Sequence, residues 1–263
     1  MIKNKARLIK SCFCLFKYME KRWTSHIFFW FCKIKVYSSG LMKRALPKYT
    51  HKQEIWNSLT HLSGVVFSLI VLAVFITIQV KHNLTFKYMY PFYLYFIFMF
   101  MVFMNSSLYH SSPQNSKIRM ACRVIDHCDI YLFVAGTYTP ICLREISDYN
   151  ISTALIVIQW SLAISGFLVT ILGLGNKKCD LVGYIIYIIQ GWAVIFFYPF
   201  KQVLDFNVFL FILLGGVVYT IGAIAYAIGK KNKWFHTYFH LFILGAAIIQ
   251  FIGIYNILCP FFS

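Results

Sequence analysis

Long apolar runs separated by short polar gaps set the pattern of this chain. A helical bilayer crossing needs about 20 mainly apolar residues. Seven windows meet that length: Ser58–Val80, Tyr90–His110, Val124–Leu143, Ser152–Leu174, Leu181–Pro199, Asn207–Ile228 and His236–Leu258. The gaps carry turn residues or charge, as in Ser111-Ser112-Pro113, Gly175-Asn176-Lys177-Lys178 and Gly229-Lys230-Lys231-Asn232-Lys233. None is long enough for a soluble domain, and the chain shows no internal repeat. The pattern predicts an all-α, polytopic membrane protein: a bundle of seven transmembrane helices within residues 53–258, a basic segment at 1–52 and a short tail at 259–263.

Composition agrees with that pattern. Apolar residues make up 60% of the chain and charged residues 13%, against about 45–50% and about 25% in an ordinary soluble domain. Such an excess exceeds what one soluble core can hold and suits a surface that faces lipid. The net charge of +17 raises nucleic acid as a partner, but its distribution argues against one. Thirteen of the 25 Lys and Arg lie before residue 53, and the rest sit in the gaps between apolar runs. Cations placed beside spans suit anionic lipid headgroups, whereas a DNA-binding patch lies on one folded face. Membrane lipids are the expected partners.

The same cations orient the chain, because Lys and Arg accumulate in cytoplasmic loops. One side carries the N-terminal segment, Lys117, Arg119, Arg123, Lys177, Lys178, Lys230, Lys231 and Lys233; the other carries Lys81, Lys87, Arg144 and Lys201, a ratio of 21 to 4. The expectation is N-terminus inside and C-terminus outside. Residues 1–50 admit three readings: a solvated basic tail, an interfacial helix around Ile27-Phe28-Phe29-Trp30-Phe31, or an extension upstream of a working start at Met42. The eight cysteines form no CxxC pair, so neither a disulfide framework nor a thiolate metal site is expected; Cys12 and Cys14 are candidates for acylation. Nineteen Lys against six Arg, with many Ile and Phe, point to an AT-rich genome and a bacterial plasma membrane.

Ionisable residues inside spans are costly and usually functional. Span one opens with Glu54, Asn57 and His61, span two ends with Ser106, Tyr109 and His110, span three begins with Asp126, His127 and Asp129, and span seven begins with His236 and His240. With the orientation taken from Lys and Arg alone, all of these fall at the cytoplasmic ends of their helices. Polar residues from four helices therefore converge at one depth. Residues four apart share a helix face, so His236 and His240 form one pair, Ser106 and His110 a second, and Glu54, Asn57 and His61 a stripe. Two imidazoles at that spacing can share a metal, and three with a water make a common open zinc site. Asp126 is then the candidate to orient the water or act as general base, and Ser106 the candidate to hold the water or a substrate oxygen. Other readings stand beside these. Asp126 can pair with Arg123 or Lys117, Asp129 can be a surface charge or a helix-dipole partner, and interfacial histidines often only bond headgroups or backbone.

Three ordered blocks carry a resemblance: Glu54-x-x-Asn57-Ser58-x-Thr60-His61; then Ser106 to His110 with Asp126-His127 and Ala135 to Pro140; then His236-x-x-x-His240. Over about residues 53–258 they resemble the hemolysin III family, within the larger progestin and adipoQ receptor group. The resemblance implies seven helices with the N-terminus inside and a zinc ion near the cytoplasmic leaflet. It implies His110, His236 and His240 as zinc ligands, with Asp126 and Ser106 acting through water. Glu54, Asn57 and His61 match a further family motif. Asp129 departs from the family, which usually has a small or apolar residue there, and the long basic extension before Met42 also lies outside the pattern.

Three functions fit this reading. The first is a zinc-dependent hydrolase of lipid amides or esters. The second is a non-catalytic sensor of lipid state with structural zinc. The third is a pore-forming cytolysin, which needs a polar path across the whole bilayer, whereas the polar residues here gather at one depth.

Overall fold

The computed structural model describes residues 46–196 and 204–258. The basic segment 1–45, with Cys12, Cys14, the aromatic patch at 27–31 and Met42, lies outside the described residues, as does the tail 259–263. Seven principal helices follow one another: α1 (His51–Lys81), α2 (Phe86–Ser111), α3 (Lys117–Pro140), α4 (Tyr149–Gly173), α5 (Lys177–Gly191), α6 (Phe206–Gly229) and α7 (Trp234–Leu258). A π-helical turn, Ile141–Glu145, extends α3, and a four-residue helical turn, Ala193–Phe196, follows α5.

Local sequence places the helix starts. Thr50, Thr85, Ser116, Asp148, Asn176 and Asp205 each stand before a helix and accept a bond from a free backbone N–H of its first turn. Thr50 and Gln53 form a reciprocal capping box. Between α4 and α5 the chain turns at Gly175, whose φ of 85° is left-handed and suits a residue without a Cβ.

Consecutive helices pack from α1 through α5, α6 packs on α7, and α7 returns to α1 and touches α3. The interior is aromatic and sulfur-rich, with Phe75, Phe92, Tyr95, Met99 and Phe103 fully buried. The outside is apolar too: Leu214, Val217, Ile221, Ile224 and Ile228 form an exposed stripe along α6. A surface of that kind is stable in lipid and a liability in water. Helices in lipid approach closely through small residues. A Cβ on Gly64 of α1 would overlap the Phe103 ring of α2, and one on Gly166 of α4 would overlap Tyr131 of α3.

Two spans differ from expectation. By length and composition alone, α1, α2, α4, α6 and α7 qualify as membrane-crossing helices, whereas α3 and α5 do not. α3 begins at Lys117 rather than Val124, so Lys117, Arg119 and Arg123 belong to the helix and lower its hydropathy. The window Leu181–Pro199 is not one helix: α5 has 15 residues and ends at Gly191, with Trp192 as its C-cap, a rise of only about 22 Å at 1.5 Å per residue.

Candidate metal centre

The first turns of α1, the last turn of α2, the second turn onward of α3 and the start of α7 meet at one end of the bundle. On α7, His236 and His240 project from one face, and His110 reaches them from α2. The Nε2 atoms carry the contact: His110 to His236 is 3.2 Å and His236 to His240 is 3.2 Å. All three rings are buried, with their ligand atoms within 4.8 Å of one another. Two nitrogens bound tetrahedrally to one zinc at about 2.0–2.1 Å lie about 3.3 Å apart. The spacing and the donor set therefore fit a zinc ion held by His110, His236 and His240.

The opposite ring nitrogens explain why Nε2 faces inward. His110 Nδ1 lies 2.8 Å from the Glu54 carboxylate. His240 Nδ1 lies 3.1 Å from the carbonyl oxygen of Asn57 and 3.3 Å from Thr60 Oγ1. An acceptor at Nδ1 holds the proton there and leaves Nε2 a free lone pair, which is how outer partners orient metal-binding histidines. Glu54 is held in turn by the Arg119 guanidinium, which also donates to the carbonyls of Tyr109 and Ser112. Asn57 accepts from Thr237 Oγ1 at 2.5 Å. Glu54, Asn57 and Thr60 thus become the frame that sets two of the rings.

His61 is also buried, with its ring edge-on to His240 at 3.9 Å between centroids. Both of its nitrogens lack a hydrogen-bond partner. On α3, the half-buried Asp126 carboxylate faces Ser106, His61 and His127, the last at 3.6 Å. Asp126 and Ser106 therefore lie beside the cluster rather than within it. The expectation that Asp129 is a surface charge or a helix-dipole partner is wrong: Asp129 is 2% exposed and accepts from Asn105 Nδ2 at 2.5 Å. One turn beyond Asp126 along α3, its carboxylate points into the α2–α3 packing instead of toward solvent.

Three residues had no reading as part of the site. Arg119 counted as a loop cation; the earlier start of α3 buries it, at 1% exposed. Thr237 gave no signal beyond its place beside His236. Tyr49 precedes every span window, yet its ring stacks on His236 at 5.1 Å and 26° and meets the edge of His110 at 5.7 Å. Its carbonyl accepts from Gln114 Nε2 at 2.7 Å, and burial pushes its phenol pKa well up, so the hydroxyl stays protonated. Cys122, Cys128, Cys142 and Cys179 are free and contribute no ligand.

With this geometry in hand, the chain can be set beside known proteins. Residues 49–251 match the family described as haemolysin-III related. The chain is 32% identical over 218 residues to the "Hemolysin-3 homolog" of Bacillus subtilis (strain 168), a match covering 82% of this chain and 100% of that protein. It is also 32% identical over 201 residues to "Hemolysin-3" of Bacillus cereus, covering 76% of this chain and 89% of the relative.

Proposed function

The chain belongs to the haemolysin-III-related family and is an integral, multi-pass membrane protein, and on that premise we propose that it is a zinc-dependent hydrolase of lipid amides or esters. The observation that carries the reading is the convergence of three buried imidazoles, with His236 Nε2 3.2 Å from the Nε2 of each of the other two. His110, His236 and His240 hold the ion in this reading. Zinc bound there supplies Lewis acidity and a water activated near neutral pH.

The remaining steps belong to the chain. Asp126 Oδ takes a proton from water as its oxygen attacks the acyl carbon. The same carboxyl returns that proton to the departing nitrogen or oxygen as the acyl bond breaks. Ser106 Oγ orients the water or the acyl oxygen, and His61 offers its unpartnered nitrogens to the polar part of the substrate.

Elemental analysis of the purified protein tests the metal. About one zinc per chain, lost in a His236→Ala/His240→Ala variant, is expected; no zinc in folded wild type after reconstitution sinks the mechanism. Turnover of a lipid amide or ester by wild type and Asp126→Asn then separates catalysis from a structural zinc in a sensor. The names of the relatives favour lysis as a second reading. Zinc-independent leakage of a dye from liposomes holding the purified protein would support that reading against hydrolysis.

A further inference from the structure

Aromatic rings wall the histidine cluster, and one of them does not belong to a helix. Tyr226, Phe239 and Tyr49 pack on the His236 ring at 5.7, 5.7 and 5.1 Å between centroids. Tyr226 and Phe239 stand inside α6 and α7, so neither can leave without disturbing the bundle. Tyr49 stands in the non-helical stretch before α1. Its ring lies nearly parallel to His236, at 26°, and meets His110 edge-on at 5.7 Å and 70°. It thus touches two of the three imidazoles of the metal centre.

The other contacts of Tyr49 are with polar turns. Its carbonyl accepts at 2.7 Å from Nε2 of Gln114, an exposed residue between α2 and α3. Lys233 Nζ, in the turn before α7, lies 5.8 Å over the ring. The ring therefore sits between two turns on one side and two buried imidazoles on the other. The next N–H, that of Thr50, donates to Gln53 Oε1 at 2.9 Å in the capping box of α1. Tyr49 is thus anchored to α1 at one end and tied across the cluster by a bond to an exposed amide. Water competes for such a bond, and segments held by few buried contacts open first.

We propose that Tyr49 is a cover over the metal centre, whose ring must swing off His236 before a metal ion can reach or leave the three nitrogens. This rests on the reading of His110, His236 and His240 as zinc ligands and adds the control of metal access. A cover is distinguished by its effect on rates. It moves aside for uptake and release alike, so its loss speeds both and leaves affinity nearly unchanged. A residue that only orients His236 alters affinity, mainly through release.

The test is zinc exchange by the full chain in mild detergent. Zinc per chain is measured first, then release from loaded protein into excess chelator, then uptake by metal-free protein in competition with a fluorescent zinc indicator. Tyr49→Ala is expected to hold about one zinc per chain and to speed release and uptake alike by about tenfold, the size of the lost ring contacts. Gln114→Ala leaves the ring and cuts its tie, and is expected to speed both about fivefold, the size of one hydrogen bond. Tyr49→Phe keeps the wall and should exchange at wild-type rates. Gln114→Ala, changed at an exposed turn, carries the test if thermal unfolding shows that Tyr49→Ala is misfolded. Unchanged rates in both variants at one zinc per chain overturn the cover and leave the metal centre standing. Weaker binding with unchanged uptake also overturns it, making Tyr49 an orienting partner of His236. Exchange as fast in Tyr49→Phe as in Tyr49→Ala overturns it too, because the hydroxyl rather than the ring would then hold the metal. A wild type that takes up no zinc overturns the zinc reading and the cover with it.

Discussion

At the scale of single residues, the informative groups are those whose chemistry is only half satisfied. Glu54 carries two loads: it holds His110 Nδ1 at 2.8 Å and neutralises the buried Arg119. Breaking a buried pair by removing one partner typically costs about 3–5 kcal/mol, and losing an outer partner of a metal-binding histidine lowers metal affinity about 10–100-fold. Glu54→Gln keeps the shape and removes the charge. It is expected to lower both the unfolding temperature and the zinc affinity, read by thermal unfolding and by competition with a chelator. Unchanged zinc affinity would show that Glu54 serves Arg119 alone. His61 behaves oppositely, because it spends nothing on its neighbours. Removing a buried unsatisfied group relieves its desolvation cost, so His61→Phe, which keeps an aromatic edge against His240, is expected to unfold at or above the wild-type temperature with zinc content unchanged. A loss of zinc in that variant would mean that His61 is part of the metal frame.

At the scale of elements, the match between pattern and structure depends on what each helix has to satisfy. Windows for α1, α2, α4, α6 and α7 were legible because lipid demands apolar residues on every outward face, and hydropathy reads that demand directly. α3 was misjudged at its start because its cations look like a loop; Arg119 is tolerated inside the helix only because Glu54, 65 residues away in sequence, meets it. The site shows the same division. Spacing on one helix made the His236–His240 pair visible, and the ordered blocks brought His110 to it. Tyr49, Thr237 and the ties from Glu54 to Arg119 and His110 are contacts between elements far apart in the chain, which no local period records. The short α5 is tied in by polar bonds rather than by length. Gln190 Nε2 donates to the carbonyls of Tyr131 and Gln159, each at 3.2 Å, and Gln159 Nε2 donates to the Gln190 carbonyl at 3.1 Å. Side-chain bonds within membranes average about 0.6 kcal/mol with a maximum near 1.7. Gln190→Leu is therefore expected to cost about 1 kcal/mol, seen as a modest fall in unfolding temperature. A rise would mean that the amide is a burden and that α5 is held by packing alone.

At the scale of the whole molecule, the question that decides the biology is which leaflet the cluster meets, and that turns on whether α3 and α5 cross. With all seven helices crossing, the basic start of α3 at Lys117–Arg123 and the basic clusters at Lys177–Lys178 and Lys230–Lys233 share one side with the N-terminus, which is the arrangement the positive-inside rule favours. With only the five long apolar helices crossing, the N- and C-termini still fall on opposite sides, so a reporter at the C-terminus does not distinguish the two cases. The turn between α4 and α5 does. Seven crossings place Lys177 and Lys178 with the N-terminus, whereas five place them on the opposite side. Burial of the Gln159–Gln190 contact within the bundle and the packing of α3 on α2, α4, α5 and α7 both favour seven. The buried charges of α3, Arg119 and Asp129, are met by Glu54 and Asn105 rather than by lipid. Alkaline phosphatase, which is active only outside the cytoplasm, is expected to be inactive when fused after Lys178, while a green fluorescent protein fused there is expected to fluoresce. Active phosphatase at that turn would remove α3 from the set of crossing helices. The basic gap would then lie on the translocated side, and the charge bias that places the histidine cluster at the cytoplasmic leaflet would lose two of its cations.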